Sequence, residues 1–341
     1  MKYLTVGQAS IDRVLNEDGS YDRTNLGGPG VFAYTGVRLY DDDVQMILNT
    51  AEDFESYYGE WLKKNNVNTD ALYTCYDKTH LFECTYREDG SYVYIQPNYT
   101  VKQINARGTE YGWTNVRPEQ IERHSKDTEG LYLFIEPYYK HFYKELKKIK
   151  DKHGFKVMYE IGILKGDEYD RDYIREILDI LKPEMASLNH NESCEFFETD
   201  DLETIFNNIY DMGFDMFFYR AGKKGSYVLS DHKAYFIPAI DITGKESIDP
   251  TGCGNSSTAA SMWAWLNTHD PVMTGILANI VGGYNVASAG IIDDLSLETR
   301  KEALKLAKKY YDEYLMAHPE YEKERGDRAD PDAISKQTET E

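Results

Sequence analysis

The sequence predicts an α/β fold in which a mainly parallel sheet is covered by helices on both faces. Short apolar strands alternate with amphipathic helical segments along most of the 341 residues, which is the pattern of repeated βαβ units. Near position 252 a tight loop containing two glycines leads into a helix. The length accommodates one large α/β domain or two modest ones, with a buried core.

The composition is strongly acidic, with a formal net charge of −21. Most of such a surface repels a phosphate backbone, which excludes nucleic acids and anionic membranes as partners. The first residues begin a strand and carry no signal-peptide pattern, and no apolar run approaches the length of a membrane span. The four cysteines form no Cys-x-x-Cys pair. We therefore expect a cytoplasmic protein with reduced thiols.

The first part of the chain opens with the βαβ rhythm. Gly27 and Gly28 lead into a helical pattern, and a buried strand and an amphipathic helix follow. The predicted strands cover residues 2–7 and 44–50, and the predicted helices cover residues 31–39 and 54–65. Asp12 lies between the first strand and the glycine pair, where its residue type is typical of a turn.

The pattern changes between residues 71 and 96, where β-branched and aromatic residues surround the dipeptide Asp89-Gly90. This dipeptide is a strong signal for a short hairpin turn, so we expect a β-hairpin over residues 81–95. On the residues alone, it is interpreted as a solvated hairpin with no part in binding.

The second part of the chain returns to alternating strands and helices. Strands are predicted over residues 131–135, 156–159, 215–219 and 226–229, and helices over 139–150, 173–181, 273–291 and 297–317. From His318 onward the chain is charged and poor in apolar groups, which predicts disorder. The expected organisation is a core over 1–317 and a disordered tail over 318–341.

The most informative loop runs from Asp249 to Asn255, with the sequence Asp-Pro-Thr-Gly-Cys-Gly-Asn. At a helix start several backbone N–H groups lack an intrahelical partner and the helix dipole is positive, so such a loop is suited to hold phosphate. An ordinary loop-to-helix junction is the alternative interpretation.

This loop resembles the C-terminal signature of the ribokinase-like (PfkB-type) carbohydrate kinases, Asp-x-Thr-Gly-x-Gly-Asp. The resemblance implies an oxyanion hole at Gly252, Cys253 and Gly254, with Thr251 beside the cofactor. The last Asp of the signature is the catalytic base of the family, and this chain has Asn255 there.

The N-terminal part carries further points of resemblance, which imply a substrate site. Gly27 and Gly28 match the Gly-Gly signature of the family, and Asp12 matches an Asp that binds sugar hydroxyls. Phe32 stands where the family commonly has an Asn that contacts substrate. The resemblance also implies a small β-sheet lid, formed by segments at about 12–25 and 73–105, and a homodimer through that lid.

The resemblance also implies cofactor contacts in the second part of the chain. Asn189 and Glu192 match an Asn-x-x-Glu pattern that organises Mg²⁺ and phosphate through water, and Gly222 to Gly225 match a turn beside the nucleotide phosphates. Arg220 replaces the usual Thr or Ser before that turn, and Asn279 is expected near adenine. Taken alone, these patterns also fit a helix cap, a hairpin turn and close helix packing.

The implied reaction is transfer of the γ-phosphoryl group of ATP, with Mg²⁺, to a hydroxyl of a sugar, polyol or nucleoside. Asn255 cannot accept the hydroxyl proton, because an amide is not basic near neutral pH, and loss of a general base costs about 10²- to 10⁴-fold in rate. Three interpretations remain: a slow kinase in which Asp12, Glu160 or water takes the proton, a catalytically impaired nucleotide- or sugar-binding protein, and an Asp-to-Asn substitution introduced to trap substrate.

Overall fold

A computed structural model describes residues 1–86, 92–95, 115–135, 137, 139–162, 171–242 and 248–324. The strands of these residues are β1 (Tyr3–Val6), β2 (Ser10–Leu15), β3 (Tyr21–Gly27), β4 (Val44–Ala51), β5 (Leu72–Tyr76), β6 (His80–Tyr86), β7 (Tyr92–Ile95), β8 (Gly130–Leu133), β9 (Lys156–Glu160), β10 (Met185–Asn189), β11 (Met216–Arg220), β12 (Gly225–Ser230) and β13 (Lys233–Pro238).

The helices of the described residues include the predicted ones and several that the sequence did not predict. They are α1 (Pro29–Arg38), α2 (Phe54–Lys64), α3 (Pro118–His124), α4 (Lys140–His153), α5 (Arg171–Leu181), α6 (His190–Phe197), α7 (Leu202–Asp211), α8 (Cys253–Thr268), α9 (Pro271–Val286), α10 (Leu297–Ala317) and α11 (Pro319–Glu324). None of the helices in this part of the chain is long and apolar enough to cross a membrane.

The large sheet has nine strands in the order β13-β12-β11-β10-β9-β8-β1-β4-β5. The run from β5 to β11 is parallel, and β12 and β13 add antiparallel to one edge. The chain starts at β1 and builds outward first through β4 and then through β8, so the strand order reverses beside β1. Ligands of such sheets bind beyond the carboxyl ends of the strands near the reversal.

Two apolar clusters cover the two faces of this sheet. One contains side chains of α1, α2, α8, α9 and α10, and the other contains side chains of α3 to α7. The strands are buried on both faces, as expected for parallel strands between two helical layers. The predicted fold class, a mainly parallel sheet with helices on both faces, is confirmed.

A smaller sheet has the order β3-β2-β6-β7. Strands β6 and β7 pair antiparallel, as the predicted hairpin over 81–95 requires. The expected lid segment at 73–105 begins too early, because β5 pairs with β4 in the large sheet. Leu72 and Tyr73 explain this difference, since they pack against the two opposite apolar clusters. The predicted residues 87–91 and 96–105 lie outside the described part of the chain.

The expected boundary at residue 317 also differs from the structure. Tyr321, on α11, is 4% exposed, and its hydroxyl donates a hydrogen bond of 2.9 Å to the buried carboxylate of Asp270. The charged composition predicted disorder from 318 onward, but this one aromatic anchor holds the chain in a helix to Glu324. Residues 325–341 of the predicted tail lie outside the described residues.

Candidate active site

Three polar residues meet where neighbouring parallel strands end. Glu160, Asn189 and Arg220 are the last residues of β9, β10 and β11. Asn189 lies directly opposite Arg220 in the β10–β11 ladder, and Ser187 of β10 lies opposite Glu160. The fold therefore brings three residues that are far apart in sequence to one edge of the sheet.

Arg220 forms two ion pairs at this edge. Its Nη1 lies 3.0 Å from Oε1 of Glu160, and its Nη2 lies 3.1 Å from Oε2 of Glu192. The Glu160 side chain is only 5% exposed. Burial acts to lower the pKa of the Arg220 guanidinium, but the two carboxylates outweigh burial and raise it. Arg220 is therefore a permanent positive charge, held by two acids.

Glu192 also closes the start of α6. Its Oε2 accepts a hydrogen bond of 2.7 Å from the N–H of Asn189, and Oδ1 of Asn189 accepts one of 2.9 Å from the N–H of Glu192. This reciprocal capping box is the alternative that the Asn-x-x-Glu pattern left open. Burial raises the pKa of the Glu192 carboxyl, although Arg220 opposes the shift.

These bonds limit how the two acids could hold Mg²⁺. Arg220 and Tyr132 donate to the two oxygens of Glu160, and Oδ1 of Asn189 is taken by the cap. Of the four carboxylate oxygens of Glu160 and Glu192, Oε1 of Glu192 is the one that receives no hydrogen bond from the described residues. A single oxygen suits Mg²⁺ that keeps most of its water shell and binds through few protein ligands.

The loop from Asp249 to Asn255, termed here the anion loop, presents N–H groups at the start of α8. Gly252 caps the helix with φ of 78°, and Phe32 packs so closely that a Cβ on Gly252 would lie 2.1 Å from its ring. The N–H of Cys253 closes a turn onto the carbonyl of Pro250. The N–H groups of Gly254 and Asn255 have no acceptor among the described residues, so these two are available to an anion.

Arg220 lies against the first turn of α8. A Cβ built on Gly254 would lie 2.0 Å from Nη1 of Arg220, so any larger residue at position 254 would displace the guanidinium. The guanidinium therefore stands beside the unpaired N–H groups, and both carry positive charge. A phosphate at this place would receive hydrogen bonds from the helix start and from the arginine.

Asn255 takes part in a hydrogen-bond chain with defined direction. The hydroxyl of Tyr132 lies 2.5 Å from Oε2 of Glu160 and donates its one proton there. It must then accept from Nδ2 of Asn255, at 3.1 Å. Burial, reinforced by Glu160, raises the pKa of Tyr132 well above its ordinary value, so this proton stays on the tyrosine. Oδ1 of Asn255 is left as an acceptor.

Amide side chains anchor the other end of the anion loop. Asp249 accepts the N–H of Thr251 on Oδ1 at 2.9 Å, and Nδ2 of Asn25 on Oδ2 at 2.7 Å. Asn285, on α9, donates to the carbonyl of Thr251 at 2.7 Å. Burial raises the pKa of the Cys253 thiol to about 12. The loop is thus held from β3 and from α9 together.

The predicted substrate residues lie at the junction of the two sheets. Asp12 lies within β2, not in a turn, and is 3% exposed. Gly27 ends β3, and Gly28 precedes α1, whose first N–H groups bond to its carbonyl. Phe32 is 2% exposed against Gly252, so its ring supports the anion loop and does not form an open pocket wall.

The remaining predicted cofactor residues connect the antiparallel edge to the helices. Gly222 starts a short 3₁₀ turn between β11 and β12, and Gly225, the first residue of β12, follows that turn. Asn279 donates to the carbonyls of Ile237 and Pro238 at 3.0 Å and accepts from Ser226 at 2.9 Å. The amide of Asn279 is therefore used to attach α9 to the edge strands.

Sequence reasoning missed three residues of this site, Tyr132, Asn25 and Asn285. Tyr132 lies in the predicted apolar strand over residues 131–135, yet a buried tyrosine hydroxyl needs a partner. Asn25 and Asn285 contact loop residues that are 224 and 34 positions away. The only signal was the residue type, since buried amides are rare without partners.

Comparison with known proteins agrees with this architecture. The chain is similar to a nucleoside kinase of Methanocaldococcus jannaschii (TM-score 0.63, 19% identity, 91% of this chain and 99% of that chain). It is similar to adenosine kinase from Sinorhizobium meliloti (TM-score 0.66, 15% identity, 91% and 98%). It is also similar to ribokinase of Arabidopsis thaliana complexed with ribose and ATP (TM-score 0.66, 18% identity, 90% and 97%).

A comparison with curated protein sequences found no match. The likeness to the solved structures, all below 20% identity, establishes the ribokinase-like fold. The family model described as pfkB family carbohydrate kinase matches residues 2–299, which is most of the chain. The protein therefore belongs to the pfkB family of carbohydrate kinases.

Proposed function

We propose that this protein transfers the γ-phosphoryl group of ATP to a hydroxyl of a sugar, polyol or nucleoside, with Arg220 supplying charge where the family uses a carboxylate base. The observation that carries the proposal is the position of the Arg220 guanidinium against Gly254, beside the unpaired N–H groups at the start of α8. Positive charge from two sources converges there.

The chemistry of phosphoryl transfer suits this arrangement. Its transition state is loose, so the protein mainly positions the reactants and neutralises charge on the transferred group. An arginine that contacts this group contributes about 10³- to 10⁵-fold in other phosphoryl-transfer enzymes. That gain is as large as the loss expected from a missing general base.

Asn255 has the role of orienting the acceptor. Its Nδ2 is fixed on Tyr132, so Oδ1 is the atom left to accept a hydrogen bond from a substrate hydroxyl. Glu160 is a poor candidate for the base, because Arg220 and Tyr132 donate to both of its oxygens. The acceptor hydroxyl is thus aligned by an amide, and its proton passes to water as its oxygen bonds to the phosphoryl group, whose charge Arg220 neutralises.

Mg²⁺ is part of the proposal as the cation of the nucleotide. Glu192 would hold it through water by way of Oε1, and Asn189 would act by fixing Glu192 in place. When bound, the ion neutralises negative charge on the phosphates. Without it, Glu160 and Glu192 would repel a nucleotide that approaches Arg220.

The experiment is product detection by mass spectrometry with ATP, Mg²⁺ and a panel of sugars, polyols and nucleosides, together with calorimetry of binding. Arg220→Lys keeps one positive charge but loses the two-pronged geometry. We expect it to lower kcat by about 10²- to 10³-fold.

The matched control is Arg175→Lys, an exposed arginine of α5, which should leave kcat unchanged. If Arg220→Lys keeps the turnover of the unmodified chain, the proposed role of the arginine is wrong. Nucleotide binding without product from any acceptor would instead favour the catalytically impaired binding protein.

A further inference from the structure

Strand β3 connects the small sheet to the anion loop. Asn25 lies directly opposite Asp12 in the antiparallel β2–β3 ladder, so the two side chains point to the same face. Both are 3% exposed. The strand that faces the proposed sugar-binding Asp12 therefore also carries a buried amide.

The amide of Asn25 ends on the first residue of the anion loop. Its Nδ2 lies 2.7 Å from Oδ2 of Asp249, which is 1% exposed. The other oxygen of Asp249 accepts the N–H of Thr251, the residue before Gly252. One buried carboxylate thus bonds to the small sheet with one oxygen and to the anion loop with the other.

A second contact fixes the place of β3 against the segment that follows α9. The carbonyl of Leu26 accepts a hydrogen bond of 3.1 Å from the N–H of Ile291. Gly290 packs so closely on the strand that an added Cβ would lie 2.9 Å from Cβ of Asn25. The strand therefore has little freedom to shift while the Asn25–Asp249 bond is made.

We propose that Asn25 is a positioning residue for the anion loop, acting through Asp249. The inference rests on the proposed function, since it assigns to β3 control over the N–H groups that would bind the phosphoryl group. It couples the strand beside Asp12 to the geometry of Gly254 and Asn255. Correct docking of β3 is then a condition for fast transfer, whichever acceptor is bound.

The expected size of the effect follows from the kind of bond that is lost. Hydrogen bonds to a buried carboxylate are about twice as strong as neutral ones, and a misplacement of about 1 Å in an active site costs about 10²-fold in rate. We therefore expect Asn25→Ala to lower kcat about 100-fold. The acceptor KM should change less than about threefold, because Asn25 acts on the loop and not on the acceptor.

The first readout needs no turnover. Hydrogen exchange followed by mass spectrometry should show faster exchange in residues 249–258 of Asn25→Ala, while distant core segments exchange as before. Thr24→Ala is the matched control, because Thr24 is the exposed neighbour on the same strand. Equal exchange of residues 249–258 in the two variants overturns the proposal.

The second readout exchanges the two partners. Asn25→Asp places two buried carboxylates about 2.7 Å apart and should be the most damaging change. Adding Asp249→Asn restores one donor and one acceptor with the direction reversed, and should recover at least about tenfold of the lost kcat or slow the loop exchange again. If Asn25→Ala fails to fold, this pair of variants decides, and no recovery in either measurement overturns the proposal.

The two proposals fail in different ways. If the unmodified protein yields no product with any acceptor, the proposed function fails, while the exchange experiment still judges the tie between β3 and the loop. If the protein is active but Asn25→Ala keeps the kcat and exchange of Thr24→Ala, only the role of Asn25 is wrong.

Discussion

The orientation of the Asn255 amide depends on Glu160, which acts on it through Tyr132. Glu160 accepts the hydrogen bond that the Tyr132 hydroxyl donates, so this hydroxyl can only accept from its other neighbour, and the amide of Asn255 supplies that donor. A carboxylate at position 255 could not donate. The amide is therefore matched to its surroundings, which favours a natural Asn over an isolated substitution in an otherwise ordinary site.

Asn255→Asp tests this match. The new carboxylate supplies a general base, for which a gain of up to about 10²-fold in kcat is expected. It also places a second acid beside the single proton of Tyr132, so its pKa should lie above the usual value of about 3.9. Because the base acts only when ionised, the added activity should fall as pH drops through that raised pKa.

The measurement is the pH profile of kcat/KM for the variant and the unmodified chain. The unmodified chain lacks this carboxylate and should lack the corresponding acid limb. No gain at any pH, with an acceptor shown to bind, would mean that Arg220 already removes the need for a base.

At the residue level, the sequence predicted which residues belong to the candidate site better than it predicted their hydrogen-bond and ion-pair partners. Asn189, Glu192 and Arg220 were identified by their places in patterns, and they do meet at the strand ends. Their bonds were not predicted, since the ion pair of Arg220 with Glu160 joins residues of different strands. Only the folded sheet brings such residues together.

At the level of elements, helix α1 packs on the first turns of α8. A Cβ added to Gly36 would lie 2.1 Å from the carbonyl oxygen of Ser256, and Phe32 of the same helix covers Gly252. Helix α1 therefore packs against the anion loop and supports it. This close approach explains why small residues occur where the two helices meet.

Gly36→Ala should push α1 away from α8. Inserting a methyl group into a packed interior costs about 1–3 kcal/mol, and we expect a loss of that size in the free energy of unfolding from urea titration. Gly282→Ala in α9 is the matched control, since no atom lies within 4 Å of its added Cβ. That change should stabilise by up to about 1 kcal/mol, because alanine favours helix. Equal effects of the two changes would contradict the close approach.

At the level of the whole molecule, strand type was predictable and strand order was not. The alternation of strand and helix patterns predicted parallel strands, because each pattern can be recognised from residues that are neighbours in the sequence. The order depends on β1 pairing with both β4 and β8, which are about 40 and 130 residues away. The tail was assigned wrongly over residues 319–324 for a similar reason, since Tyr321 and Asp270 are 51 positions apart.

Acid sensitivity of the whole fold should depend on His80. Burial lowers the pKa of this histidine to about 4, against 6.5 for an exposed one. The unfolded chain then binds the proton more readily, so stability is lost as pH falls from about 6.5 to about 4, by roughly 3 kcal/mol in all. His80→Gln should make the midpoint of urea unfolding depend less on pH over this range. His141→Gln, at an exposed site, should leave that dependence unchanged. An unchanged slope in His80→Gln would contradict the assignment.

The Cys253 thiol of the anion loop is protected from chemical modification. Oxidants and alkylating agents attack the thiolate, and a thiol with a pKa of about 12 is almost entirely protonated at neutral pH. Its Sγ also points inward to the carbonyl of Gly282, at 3.5 Å. We therefore expect oxidants to modify the exposed Cys75 before Cys253 and to leave the loop chemically intact.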